Sequence, residues 1–307
     1  MRDAFFSELA TVFEADPRVV FITADLGYKL FDPLCEIDPR RVINAGLRET
    51  AMVGFAAGLA LAGMRPFIYS IAPFATLRCL EQIKLDLCYH ELPVVVVGVG
   101  GGFAYGPNGP THHGVDDLAA LSGLPNMRLW TPAGPNEVRA CVRAAAQLGG
   151  PAYLRLGRNR EPALRKAEEI GSIDGPALLA DGDDIAIVSC GVILGEVLAA
   201  VEQLHGDGIA ARAVHLPTLA PFPDAALAAA VNALPVLSVE EHMATGGLGG
   251  RVARTLARRG MHNRFEALAI PDAFPKQCMD RPASLAWAGI DAAAIAAACR
   301  KLCGRGA

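Results

Sequence analysis

The chain is poor in the motifs that name a chemistry by themselves. Its eight cysteines, at 35, 79, 88, 141, 190, 278, 299 and 303, form no CxxC pair. That removes the usual zinc spacings and points to reduced thiols in a cytosolic protein. Cys299 and Cys303 stand four apart but have no histidine nearby. No glycine run ends in GK[ST], and no GxGxxG opens a helix, so neither a phosphate loop nor a dinucleotide fingerprint is present. Aromatic residues are only 6% of the chain and no basic stripe is interleaved with them, which argues against nucleic acid as a partner. The first residues, Met1-Arg2-Asp3-Ala4-Phe5-Phe6, have no apolar signal core, and Glu8 and Glu14 follow soon after. The apolar run at residues 50–63 is too short to cross a membrane. The expectation is a cytoplasmic protein with no membrane partner.

Apolar residues make up 52% of the 307 positions, enough for a sizeable core in one large domain or two. Short apolar runs at 19–23, 66–70, 93–98, 127–130 and 152–156 read as strands. Helical patterns at 4–14, 49–63, 75–88, 115–122 and 135–147 lie between them. Continuous apolar strands alternating with helices indicate an α/β fold with a parallel sheet covered on both faces. A polar stretch rich in Gly, Pro and charge follows Arg158, and a second alternation begins near Ile185. Its strands are expected at 185–188, 210–216, 235–240 and 265–270, and its helices at 193–204, 223–232 and 248–258. The division is therefore a domain at 1–165, a linker at 166–182 and a domain at 183–307, each domain a mainly parallel sheet flanked by helices.

Glu49 is the last charge before the small-residue run TAMVGFAAGLALAG. That run reads as a helix buried on most faces, with Gly54 and Gly58 one turn apart to admit another backbone. A carboxylate at the mouth of such a helix is expected to be partly desolvated, which favours its protonated form and marks it for proton handling. An acid in a first helical turn also has an ordinary reading, as a partner of the helix dipole. The segment GVGGGFAYGPNGPTHHGV at 98–115 follows a predicted strand directly, so it lies at the carboxyl end of a parallel sheet, where ligands bind. Its glycines suit a mobile loop or close backbone approach. His112 and His113 are adjacent without a third ligand, a poor metal signal, and a histidine acting on a substrate oxygen fits better. Arg155 and Arg158 end another predicted strand, where arginine suits carboxylate or phosphate and salt bridging is equally open. Glycines 246, 247, 249 and 250 follow Glu240-Glu241-His242 and could cradle an anion, though a structural role is the simpler reading.

Taken in order, these segments resemble the transketolase family of thiamine diphosphate enzymes. Gly46-Leu47-Arg48-Glu49-Thr50-Ala51-Met52 resembles the motif of the family's catalytic glutamate. Ser70-Ile71-Ala72-Pro73-Phe74-Ala75-Thr76 with Glu81-Gln82-Ile83 resembles its cofactor-ring segment. Gly106-Pro107-Asn108-Gly109-Pro110-Thr111-His112-His113 resembles its substrate-histidine loop. Leu124-Pro125-Asn126-Met127 and Trp130-Thr131-Pro132-Ala133 continue the match, and Val239-Glu240-Glu241-His242 with Gly246-Gly247-Leu248-Gly249 resembles its C-terminal signature. The resemblance covers nearly the whole chain, as the second half of a full transketolase. It implies a pyrimidine-binding domain followed by a transketolase C-terminal domain. It also implies roles. Glu49 hydrogen-bonds N1′ of the aminopyrimidine, favouring the imino tautomer that takes the thiazolium C2 proton. Phe74 is nearest to the ring-stacking position. Asp25 and Leu26 line the cofactor pocket. His112 is catalytic and contacts substrate oxygens, with His113, Asn108 and Lys29 also on the substrate side. Arg158 matches a position that binds the distal phosphate of sugars.

The departures from the family pattern set the remaining expectations. The GDG…N motif that holds Mg²⁺ or Ca²⁺ and the diphosphate is absent, so this chain is expected to bind the pyrimidine end of the cofactor alone. A separate N-terminal-type subunit would carry GDG…N and the metal, in an α2β2 heterotetramer with a self-dimer of this chain. The expected reaction is transfer of a two-carbon ketol unit from a ketose, phosphorylated or not, to an aldehyde. Asn108 stands where many members have aspartate, and Gly100 where many have a phosphate-binding histidine, which points to a specialised acceptor, smaller or unphosphorylated. Three alternatives are a 1-deoxyxylulose-5-phosphate synthase-like enzyme, a 2-oxo acid dehydrogenase beta subunit and a non-catalytic partner subunit.

Overall fold

The computed structural model describes residues 1–158 and 160–305. Its first sheet holds β1 (Val19–Thr23), β2 (Val42–Asn44), β3 (Arg65–Ile71), β4 (Val95–Val99), β5 (Arg128–Trp130) and β6 (Ala152–Leu156). These six run parallel in the order β5-β6-β4-β3-β1-β2. Every residue of β1, β4 and β6 is buried, as continuous apolar strands in a doubly covered parallel sheet must be. The second sheet holds β7 (Ala177–Ala180), β8 (Ile185–Ser189) and β9 (Ala211–His215), and, after β10 (Thr218–Ala220), β11 (Val236–Met243) and β12 (Phe265–Ile270). Its order is β12-β11-β8-β9-β7, parallel except for β7. β10 leaves this sheet and pairs antiparallel with β5 of the first one. The chain goes outward from β1 to β2 and returns to β3 on the other side of β1. Strand order thus reverses between β1 and β3, the place where open α/β sheets form a ligand crevice at the strands' carboxyl ends.

Two helices differ from expectation. Glu49–Leu61 is helical, but only Met52, Val53, Ala56, Ala57 and Ala60 join Glu49 inside. Phe55 is 48% exposed and Leu61 71% exposed, and no atom lies near the space a Cβ on Gly58 would fill. Half of this apolar helix is therefore open, not buried on most faces. The single helix expected over 75–88 is instead a series of short turns, Ala72–Ala75, Leu77–Cys79 and Leu80–Gln82, followed by a π-helical turn at Ile83–Cys88. The break falls at Thr76, whose φ −117°, ψ −78° depart from ideal helix values, while its hydroxyl donates to the Ala72 carbonyl at 2.7 Å. The apolar run Arg281–Leu302 is long enough by composition to cross a membrane. Here it is two helices, Arg281–Ala288 and Ala292–Leu302, separated at a left-handed Gly289 and packed with Leu285, Ile295 and Cys299 buried.

Buried polar ties join the two halves. Arg155 donates to Asp117 at 2.9 Å and to the carbonyl of Glu241 at 3.1 Å, so this arginine is structural. Tyr153 donates to the same Asp117 oxygen at 2.6 Å. The anion cradled by the glycines after β11 is the protein's own: Glu240 accepts from the N–H groups of Leu248 and Gly249 at 2.6 and 2.9 Å. Burial pushes the Glu240 carboxyl up to about 7, against the pull of those N–H groups.

Glu137 makes the most exacting tie. It meets His215 at 3.0 Å, accepts from the Ala133 N–H at 2.7 Å and from Arg165 at 2.6 Å. Burial alone would raise its pKa, but His215, Ala133 and Arg165 outweigh that and hold it down to about 2. The folded value thus lies below the unfolded one. Its stabilisation is complete above about pH 4.5 and is lost as pH falls toward 2. Replacing Glu137 with Ala should cost about 3–5 kcal/mol in urea unfolding at pH 7, because His215 and Arg165 lose their buried partner. The difference between wild type and variant should shrink below pH 4, and an unchanged difference there would remove Glu137 from the acid transition.

Candidate active site

The crevice is built from the carboxyl ends of β1, β2, β3, β4 and β6. After β1, Thr23 donates to the Leu26 carbonyl at 2.6 Å and accepts from the Leu26 N–H at 3.2 Å. Asp25 sits in a left-handed conformation at φ 56°. Its carboxylate accepts from Tyr28 and from Asn44 Nδ2, which hold its pKa below the usual carboxylate range, Tyr28 most strongly. Asn44 ends β2 and also accepts from the Gly46 N–H at 2.9 Å, which locks the turn leading to Glu49. The 23–49 region is therefore one hydrogen-bonded unit.

Glu49 opens its helix with a residue exposure of 2%. Its carboxylate is buried as expected, but it has partners. Ser70, at the end of β3, donates to Oε1 at 3.3 Å, and Arg78 Nη1 donates to Oε2 at 2.8 Å. The Arg78 side chain is 49% exposed, so the ion pair reaches from the interior to the surface. The same guanidinium lies 4.5 Å from the centroid of Phe74. Phe74 in turn meets His112 edge-on, with ring centroids 5.2 Å apart. Three residues singled out from sequence, Glu49, Phe74 and His112, thus form one line, bridged by an arginine that was not.

His112 is half-buried, and its Nδ1 lies 2.9 Å from the Thr111 hydroxyl. Burial lowers its pKa first, with His113 and Arg158 adding to the effect, so the ring is neutral at neutral pH. Beyond it lies Tyr105, whose ring centroid is 5.9 Å from that of His112. Arg158 also packs on Tyr105, its guanidinium carbon 4.3 Å from the ring centroid. Arg158 is half-buried and donates no hydrogen bond among the described residues, which suits it to an anionic ligand group. Arg2, at the start of the first helix, also acts electrostatically on both Tyr105 and Tyr69.

Other expected residues are placed differently. His113 is turned inward and buried, its Nε2 3.1 Å from the Gly106 carbonyl and its ring against Phe103 at 5.1 Å. It braces the loop and does not join His112. Asn108 is exposed at the end of a 3-10 turn, with its backbone N–H bonded to the Tyr105 carbonyl at 2.8 Å. Lys29 is exposed in a left-handed conformation at φ 69°. Reasoning from sequence did not pick out Arg78, Tyr105 or Arg2.

The residues present fit the ring end of the family's cofactor. A buried carboxylate is held by a hydroxyl on one oxygen and by a surface-reaching cation on the other, beside a half-exposed aromatic ring. The Arg78 contact gives a direct test. Replacing Arg78 with Met should lower the stability of the isolated chain by about 1–2 kcal/mol in urea unfolding, because Glu49 stays buried with only Ser70; half exposure of Arg78 keeps the loss below that of a fully buried pair. An unchanged midpoint would mean that Arg78 does not support the buried carboxylate.

Comparison with known proteins agrees with this geometry. Residues 1–162 match the family described as "Transketolase, pyrimidine binding domain", and residues 177–295 match "Transketolase, C-terminal domain". The chain is 34% identical over 267 residues to an apulose-4-phosphate transketolase subunit of Actinobacillus succinogenes, covering 86% of this chain and 85% of that protein. It is 36% identical over 300 residues to 1-deoxy-D-xylulose-5-phosphate synthase 1 of Geobacter sulfurreducens, covering 96% of this chain but 46% of that one. A solved structure described as a split gene transketolase in an inactive beta4 tetramer superposes with a TM-score of 0.87 at 31% identity, covering 100% of this chain and 98% of that chain.

Proposed function

This chain belongs to the transketolase family, and from that premise we propose how its half of a split enzyme works. It is one subunit of a hetero-oligomeric transferase that moves a two-carbon ketol unit from a ketose to an aldehyde. A second subunit carries the diphosphate and its divalent cation, and this chain receives the aminopyrimidine end. Bound thiamine diphosphate supplies the carbon nucleophile that adds to the donor carbonyl. The observation that carries the reading is the buried Glu49 carboxylate beside Phe74 and His112.

Each residue of this chain then has a task. Ser70 fixes Glu49 through Oε1, and Arg78 holds Oε2, so a ring nitrogen meets Glu49 beside Arg78 or in exchange for it. Glu49 takes a hydrogen bond at that oxygen, shielded from water by its burial at the head of the apolar helix. Phe74 offers a face to the ring, and Asp25 with Leu26 forms a rigid wall. His112, neutral at pH 7, donates or accepts a hydrogen bond at a substrate oxygen. Arg158 receives an anionic group at the far end of the substrate. The subunit relative is named for apulose 4-phosphate, a substrate with such a group, which supports an anionic sugar here.

The open face of the Glu49–Leu61 helix supports the assembly. Leu47, Phe55, Leu61, Leu85 and Tyr89 are all exposed, and the segment carrying Leu85 packs beside this helix. Exposed apolar surface of this kind marks an interface. We place a second copy of this chain there, with the diphosphate-binding subunit completing each site.

Two measurements test this reading. Mixed with a partner subunit bearing GDG…N, thiamine diphosphate and Mg²⁺, the chain should transfer ketol units between sugars. Replacing Glu49 with Gln should lower kcat by at least about a hundredfold with assembly intact, and normal turnover would sink the catalytic assignment. Pyruvate as the only accepted donor would favour the deoxyxylulose-phosphate synthase reaction instead. In sedimentation, Phe55→Asp should shift the isolated chain toward monomer, and an unchanged oligomer would place the interface elsewhere.

A further inference from the structure

Tyr105 occupies an unusual place. It belongs to the glycine-rich loop after β4, yet the residue is only 7% exposed. Gly100 has φ +89°, a conformation that side chains rarely adopt, and a Cβ built there would collide with the Tyr105 ring. The ring therefore fills the volume that any side chain at position 100 would need. Tyr105 touches both His112 and Arg158, its ring centroid 5.9 Å from that of the histidine and 4.3 Å from the guanidinium carbon. Its hydroxyl makes no hydrogen bond among the described residues, and it is not one of the sealed polar atoms lacking a partner. It is thus a donor still open to solvent, beside a neutral imidazole and a cation that has no acidic partner among the described residues.

The loop that carries Tyr105 is fixed. The Phe103 N–H donates to Glu241 Oε1 at 2.8 Å, and Arg281 grips the other oxygen of Glu241 at 2.7 Å. The Gly106 N–H bonds to the Phe103 carbonyl at 2.8 Å, and a Cβ at Gly106 would strike the Met279 carbonyl. A ring anchored in this way cannot swing aside cheaply for a longer ligand.

We propose that Tyr105 is a specificity-determining residue that limits the length of the acceptor, because its ring fills the space over Gly100 while touching both the histidine that meets the reacting end and the arginine that meets the anionic end. The proposal rests on the ketol-transfer reading given above. The ring shortens the channel from the side of position 100, and the hydroxyl hydrogen-bonds a substrate oxygen near the Arg158 end. The class of acceptor it selects is a short aldehyde with a terminal anion, three or four carbons long, over a pentose phosphate. Reading by ring volume gives modest discrimination per added carbon, and a hydroxyl that pairs with a substrate oxygen adds more.

The test uses the assembled complex with thiamine diphosphate, Mg²⁺ and a ketose donor. Acceptors are D-glyceraldehyde 3-phosphate and D-ribose 5-phosphate, compared by the ratio of their kcat/KM values. The wild-type complex should favour the triose. Tyr105→Val should move the ratio toward the pentose by about tenfold or more, since one to two carbons of pocket length are worth that much. Tyr105→Phe keeps the ring and should raise KM for the triose phosphate about tenfold through the lost hydrogen bond. Arg158→Ala should weaken both acceptors alike and leave the ratio where it was. A ratio within twofold of wild type in Tyr105→Val overturns the proposal. If that variant does not assemble, an unchanged triose KM in Tyr105→Phe overturns it. No ketol transfer by the wild-type complex with any acceptor sinks the functional reading itself, a distinct result.

Discussion

The site depends on keeping a carboxylate inside the protein. An ionised carboxyl group removed from water costs several kcal/mol unless it is paired and hydrogen-bonded. Glu49 is buried at the head of an apolar helix whose own residues offer it nothing but backbone dipoles. Its two oxygens are met from outside that helix, by Ser70 and by Arg78. Ser70 is the sixth residue of a strand in register with Gly98 of its neighbour, so the hydroxyl is set by sheet geometry. Arg78 is delivered by a different device. The segment after β3 starts as a helix, breaks at Thr76 and restarts. A continuous helix over these residues would not have the same aim. The irregular backbone, the ion pair and the position of Phe74 under the guanidinium are one solution to one electrostatic problem.

What was legible in the sequence follows from how local each feature is. The strands were readable because a doubly covered parallel sheet demands unbroken apolar runs, and PVVVVG can hardly be anything else. The helix after Glu49 was readable as a helix, but its burial was not. Composition cannot tell an apolar face covered by the chain's own sheet from one left open, and Phe55 and Leu61 lie on an open one. β10 was invisible, because three residues gain their strand partner from the other sheet. Glu49, Phe74 and His112 were legible through motif order. Arg78 was hidden because its role comes from the break at Thr76. Tyr105 was hidden because a glycine-rich loop has no period to read. Arg155 and Arg158 look alike in sequence, yet one lies inside β6 and is tied to Asp117, while the other lies past the strand's end with no acidic partner among the described residues.

The exposed apolar face and the buried carboxylate belong to a single helix. Glu49 begins the helix and Leu61 ends it, with Phe55 midway on the open side. A partner that covers Phe55 and Leu61 therefore also stiffens the segment that presents Glu49. The separated chain keeps its carboxylate occupied by Arg78 and does not offer an unpaired acid to solvent.

The second domain acts on the substrate side in an indirect way. Among the described residues its side chains do not touch Glu49, Phe74 or His112. It instead holds the backbone of the loop between them and the far end of the site. Glu241 of β11 accepts the Phe103 N–H and is itself clamped by Arg281, and Gly102 must be glycine because a Cβ there would lie 2.5 Å from the Glu241 carboxyl carbon. Gly102, Gly106 and Gly109 thus admit close approach of the second domain, while Gly98, Gly100 and Gly101 make room for side chains of the first. Once the backbone is pinned at 102, 103 and 106, the ring of Tyr105 has one place to go, over Gly100 and against Arg158. A carboxylate in one domain thereby helps to fix the loop that carries an aromatic ring of the other, so the position of Tyr105 depends on an interdomain contact.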